Sequence, residues 1–170
     1  MCDRTCRQPP IHLTYSINRG RARAPSMTSP FVHRNLPRLL LQARESVMAH
    51  TRPGLREHGL SDQQWRVLRV LGEHGVVETG RVAREAFILG PSLTGVLNRM
   101  ERDGLIRRER DATDQRRTVV ETTAKGRKTV GRLSHSIEAH YGFMERSLGQ
   151  QKLARLYTLL DAVIALERPQ

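Results

Sequence analysis

From residue 35 onward, apolar positions recur every three or four residues, and a few punctuating residues break the recurrence. This spacing predicts α-helices. Leu36, Leu39, Leu40, Ala43, Val47 and Met48 form the first stripe, with Asn35 placed to cap it and Pro37 near its start. Pro53-Gly54 interrupts that pattern, which predicts a kink or a restart. Ser61 with Gln64 has capping-box spacing, and Trp65, Val67, Leu68 and Leu71 follow until Gly75. A short third segment over residues 78–87 carries Val82, Ala83, Ala86 and Phe87 on its apolar side and ends at Gly90. Pro91 opens a fourth, to about Asp103, whose core face is Leu93, Val96, Leu97 and Met100, continued by Leu105, with Gly104 as the stop.

The period then changes. Residues 105–107 and 118–122 read as strands, and the polar run RRERDATDQRR between them holds Asp111 and Asp114, which suit a turn. Helical spacing returns after Thr123, a helix cap, with Val130, Leu133, Ile137, His140, Tyr141 and Met144 up to about Leu148. Gly149 breaks it, and residues 150–167 carry Leu153, Leu156, Leu159, Leu160, Val163 and Ile164. The fold class that follows is mainly α, with a small β part. About six helices and a two-stranded hairpin make the outline of a winged helix-turn-helix. The last two helices, joined by a tight turn after the winged module, predict a dimerisation element.

The polar positions of the fourth helix and the hairpin are the candidate chemistry. Pro91, Ser92, Thr94, Gly95, Asn98 and Arg99 fall opposite the apolar face, at the front of the helix. A recognition helix reads base edges mainly with its N-terminal residues, where Asn can pair with adenine and Arg with guanine. Arg116 and Arg117 stand at the hairpin tip beside Asp114, and narrow minor grooves attract arginine. A solvated amphipathic helix and a merely charged hairpin tip are the plainer alternatives, and for the helix alone the plainer one would be the better reading. Their adjacency favours DNA.

These residues carry a resemblance. The run D-x-R-x-x-x-V-x-x-T-x-x-G, present as Asp114, Arg116, Val120, Thr123 and Gly126, is similar to the wing signature of the MarR family of transcriptional regulators. SLTGVLNRMERDGLIRRERDATDQRR resembles that family's recognition helix and wing, and NLPRLLLQARESV and GLSDQQWRVLRVLGEHG continue the likeness upstream. Together they resemble most the HpaR-like branch, regulators of homoprotocatechuate (aromatic acid) catabolism. The likeness spans residues 35–166 and departs at Thr122, where the family usually has Leu, which weakens wing packing slightly. It implies a homodimeric, ligand-responsive repressor. Residues 31–170 would be the MarR-type domain, with 61–123 as the winged DNA-binding module and 31–58 and 124–168 as dimerisation helices.

Composition narrows the partners. With 29 Lys and Arg against 17 Asp and Glu, the 170-residue chain carries a formal charge of +12. Such a balance points to nucleic acid or another anionic surface. No apolar run approaches the ~20 residues of a membrane helix, and no signal-peptide pattern precedes the first stripe, so a cytoplasmic, nucleoid-associated protein is predicted. Residues 1–30 are rich in Arg, Pro and Ser without periodicity and read as a disordered basic extension. Arg19, Arg21 and Arg23 there could touch phosphates; alternatively, the natural start is Met27 and the preceding stretch an artefact of start-site choice. Cys2 and Cys6 read as reduced thiols outside the fold rather than a redox switch or metal site.

Catalytic motifs are missing: there is no Gly-rich phosphate loop, no H-E-x-x-H and no nucleophile elbow. Neither enzyme, cofactor nor metal is predicted, although His50, His58, His74, His135 and His140 could in principle meet. The resemblance implies a phenolic carboxylate effector. An aromatic acid needs an apolar slot and a cation. Arg38, Arg44, His50, Trp65 and Arg69 are the candidates, with the two first-helix arginines for the carboxylate and His50 for the phenol. Each reads equally well as part of a solvated helix face, and Trp65 as a core anchor. The functional alternatives are an effector-independent structural DNA-binding protein and a MarR-type regulator that senses another ligand.

Overall fold

The computed structural model describes residues 31–112 and 114–166, so the expectations for the basic extension, Met27 and both cysteines lie outside the described residues. The helices are α1 (Leu36–Glu57), α2 (Asp62–His74), α3 (Thr79–Glu85), α4 (Gly90–Arg102), α5 (Ala124–Leu148) and α6 (Gln150–Ile164). The strands are β1 (Val77–Glu78), β2 (Ile106–Arg110) and β3 (Thr118–Thr122). They form an antiparallel sheet in the order β1-β3-β2.

The described residues fall into two units, residues 31–39 and residues 40–166. In the first, Asn35 opens α1 as expected: its side-chain oxygen accepts from the Arg38 backbone N–H at 3.0 Å. In the second, Ser61 and Gln64 make the reciprocal capping box, and Thr123 accepts from Gly126 N–H to start α5. Each cap satisfies a donor that the first helical turn would leave open.

The core lies between α2, α3, α4 and the sheet. Val67 and Leu68 from α2, Val82 from α3, Leu93, Val96 and Met100 from α4 and Val120 from β3 are all fully buried. Leu133 and Ile137 seat α5 on it, and Leu55 is the one buried residue of α1. Met48 of α1 packs partly buried against that core, Leu36, Leu40, Leu41 and Val47 are exposed, and none of the α6 residues is buried.

Four expectations need correction. The sheet has three strands, because Val77 pairs with Val120 across the sheet and adds a two-residue strand too short to show a period. The first wing strand runs Ile106–Arg110, longer and later than predicted. The first helix does not restart at Pro53; it runs through to Glu57, since the buried Leu55 anchors the turn beyond the proline. Phe87 is 86% exposed rather than in the core, with its backbone in the left-handed region at φ 50°.

The α4–β2 corner is tied to α5. Thr123 Oγ1 donates to Gly104 O at 2.6 Å, and Lys125 Nζ donates to Asp103 O at 2.7 Å. Gly126 lies so close that a Cβ there would stand 2.1 Å from Leu105 O. This contact sets the wing against the fourth helix.

Candidate nucleic-acid interface

The amphipathic split of α4 is realised as the spacing predicts. Leu93, Val96, Leu97 and Met100 are buried, while Pro91, Ser92, Thr94, Asn98 and Arg99 are exposed and Gly95 is half-buried. The exposed set forms one continuous polar row beginning at the helix N-terminus. The leading backbone N–H groups add a positive end to it. Thr94 Oγ1 donates to Gly90 O at 3.4 Å. Among the described residues, the guanidinium of Arg99 has no hydrogen-bond or ion-pair partner.

The wing turn is built by its aspartates. Asp111 Oδ1 accepts from Asp114 N–H at 3.1 Å, and Asp114 Oδ1 accepts from Arg116 N–H at 3.0 Å. Arg117 N–H donates to Asp114 O at 2.9 Å, and Asp111 N–H to Arg117 O at 3.0 Å. The adjacent arginines therefore have different roles. Arg117 donates from Nε to Asp114 Oδ2 at 3.1 Å and lies 3.6 Å from Glu78 Oε2. Arg116 is exposed, and its side chain has no partner among the described residues. An arginine held out by a turn built around its own backbone is suited to an external anion.

A cleft of about 310 Å³ separates α4 from the wing, bordered by Thr79, Thr94, Arg108, Arg116 and Arg117, with Glu78 at one edge. Most wing cations are already neutralised. Arg108 grips the Glu101 carboxylate with both Nε and Nη2, which holds that carboxyl below the usual range. Arg107 pairs with Glu121 and Glu109. Arg110 donates to Gln115 O at 3.1 Å, so among the described residues of α4 and the wing the cations without a hydrogen-bond or ion-pair partner are Arg99 and Arg116.

The expected effector residues are not gathered into one pocket. Trp65 is buried in the core cluster, and the Arg69 guanidinium sits 6.0 Å over its ring. Arg69 also pairs with Glu73 at 3.1 Å, and Arg44 with Glu45 at 2.6 Å. His50 meets α5 instead, with His140 and Phe143 ring centroids at 5.7 and 5.5 Å. Arg38 is exposed in the N-terminal unit. Among the described residues no group of three His, Cys, Asp or Glu is placed to hold a metal ion.

One residue of consequence gave no signal in the sequence. Arg66, on α2, donates from Nη1 to Ala86 O at 2.6 Å and Phe87 O at 2.9 Å. Its Nε is buried with no acceptor among the described residues. Burial, then the neighbouring Arg44 guanidinium, pushes its pKa below the ordinary arginine value.

Comparison with known proteins places this arrangement. A model described as MarR family matches residues 58–117. The homoprotocatechuate degradative operon repressor of Escherichia coli is 41% identical over 135 residues, covering 79% of this chain and 91% of that protein. The chain belongs to the MarR family. FarR, an HTH-type transcriptional regulator of Neisseria gonorrhoeae, is 38% identical over 128 residues, or 75% of this chain and 88% of that one. The solved structure of NadR in complex with 4-hydroxyphenylacetate superposes with a TM-score of 0.74 at 37% identity, over 83% of this chain and all of that one. The three-stranded sheet and six helices are thus the winged-helix fold of a MarR-family transcriptional regulator, a family of regulators rather than enzymes. Among the described residues, no helix is long and apolar enough to cross a membrane.

Proposed function

We propose that the chain acts in the cytoplasm, on the nucleoid, as a homodimeric repressor of an aromatic-acid catabolic operon, released from its operator by a phenolic carboxylate. The observation that carries the reading is the polar row of α4 standing beside the unpartnered Arg116 of the wing, in a chain of charge +12. Ser92, Thr94, Asn98 and Arg99 enter the major groove, while Arg116 reaches the adjacent minor groove. Asp114 and Arg117 act by shaping the turn, and Pro91 and Gly95 let the helix approach closely. Residues 61–123 form the DNA-binding module, and 31–58 with 124–168 the dimerisation region. The two-fold axis sets two reading heads about 34–36 Å apart, one DNA turn, so the operator is pseudo-palindromic.

The name of the Escherichia coli relative and the compound bound by NadR support the effector class. Arg69, its guanidinium 6.0 Å over the Trp65 ring, offers a cation beside an apolar ring, the pairing an aromatic acid needs. Effector and operator then oppose each other by linkage, with a coupling of about 1–3 kcal/mol.

Fluorescence anisotropy on DNA upstream of the protein's own gene tests this reading, with and without 4-hydroxyphenylacetate and 3,4-dihydroxyphenylacetate. The expected result is tight binding to that DNA over random sequence, weakened about 5- to 150-fold by one of the compounds. Binding that discriminates sequence but ignores both compounds would remove the effector class. Binding no tighter than to random DNA would point to an effector-independent structural protein.

A further inference from the structure

The turn between α3 and α4 is closed in an unusual way. Ile88 N–H donates to Ala83 O at 3.0 Å and Phe87 N–H to Arg84 O at 3.2 Å. That is the double bond pattern that ends a helix around a left-handed residue, a position glycine takes freely. Here the residue is Phe87, at φ 50°. A bulky L side chain resists that backbone. The flanking geometry holds it there: Ile88 is buried beneath the turn, and the Arg66 guanidinium of α2 bonds the carbonyls on both sides of the Phe87 nitrogen, Ala86 O and Phe87 O, through one nitrogen. Two residues later Leu89 becomes the N-cap of α4, without any side-chain cap of its own. The start of the recognition helix is therefore set by a strained turn and a cation reaching it from twenty residues away.

We propose that Arg66 is a positioning residue for DNA reading: it clamps Phe87 in its left-handed conformation and so fixes the direction in which α4 leaves the turn. The inference rests on the operator-binding reading above. Arg66 does not touch DNA in this account. Its Nη1 donates to two carbonyls, and its Nε stays buried without an acceptor among the described residues. Without the clamp, Phe87 relaxes toward negative φ, and the row from Ser92 to Arg99 no longer presents its side chains at one angle. Strain held by a surrounding bond at a functional turn is the expected origin of such a conformation.

The test pairs two substitutions in the full-length protein, read by operator anisotropy at several salt concentrations alongside thermal unfolding. Arg66→Met removes the clamp, and operator affinity is expected to fall about tenfold, the size that one strained backbone position commands. The salt slope should not change, because no phosphate contact is lost. Adding Phe87→Gly, which takes the left-handed conformation without strain, should restore affinity to within about threefold of wild type. Arg66→Lys, which keeps one charged donor, should fall between the two and covers the case in which the methionine variant does not fold. The inference is overturned if Arg66→Met and Arg66→Lys bind as wild type does, if the salt slope drops with the affinity, or if Phe87→Gly leaves the deficit in place. Wild-type protein without operator preference would instead sink the operator reading, and this inference with it.

Discussion

At the scale of single residues, the two tip arginines show what spacing can and cannot reveal. Asp114, Arg116 and Arg117 are adjacent in sequence, and the turn chemistry of aspartate made them legible as a unit. Which arginine is free depends on Glu78, thirty-nine positions before Arg117, and on side-chain direction. Arg117 is spent on Asp114 and Glu78, whereas Arg116 is left to solvent. Arg116→Ala should therefore weaken operator binding by about 1–3 kcal/mol and reduce the salt slope by about one if it meets a phosphate, with little change in melting temperature. Anisotropy titrations at stepped salt check this; wild-type affinity in the alanine variant would end the wing's role in binding. Phe87 is the opposite case. Helical spacing assigned it to the core, and no local signal announces a left-handed phenylalanine, because the clamp that holds it comes from Arg66 on another helix.

At the scale of elements, the legible features were those whose partners lie within a few residues. The Ser61–Gln64 capping box, the Thr123 cap and the glycine stops each close over one turn of chain, so spacing alone identifies them. Strand β1 depends wholly on a partner forty-three positions away, and its two residues carry no pattern. The continuation of α1 past Pro53 depends on Leu55 finding the core. The tie between α4, β2 and α5 lies between these cases. Gly126 belongs to the wing signature, yet only the fold shows why it is glycine: Leu105 O occupies the place of a side chain. Gly126→Ala should force α5 away from the α4–β2 corner, costing about 1–3 kcal/mol. Thermal or urea unfolding reads the loss. A variant as stable as wild type would mean that the corner yields without strain. Because Thr123 and Lys125 bond the same corner, operator affinity should fall with stability, as the wing shifts relative to the recognition helix.

At the scale of the whole molecule, the apolar surface is distributed unevenly. Leu55 of α1 and Leu133 and Ile137 of α5 join the core of the winged module, while α6 contributes nothing buried to it. None of α6 is buried, and Leu159 and Ile164 are 55% and 79% exposed. Contiguous apolar surface of this kind marks an interface. The helical period made both terminal helices visible in the sequence, but period cannot say whether a stripe faces its own core or a second chain; burial within one protomer makes that distinction for α6. In the proposed function a second copy covers this face, since one recognition helix would span one half-site and affinity for a palindrome would come from linking two. Leu159→Glu places a charge on the uncovered face. It should shift the protein from dimer to monomer in sedimentation equilibrium while leaving the winged module folded by circular dichroism. Operator affinity should fall about 100-fold or more with the loss of the second half-site, while the weak binding to a single half-site duplex persists. A variant that remains dimeric and binds normally would place the subunit contact elsewhere on the molecule. A monomer that still binds the full operator tightly would show that one reading head suffices, and the spacing argument for a pseudo-palindrome would go with it.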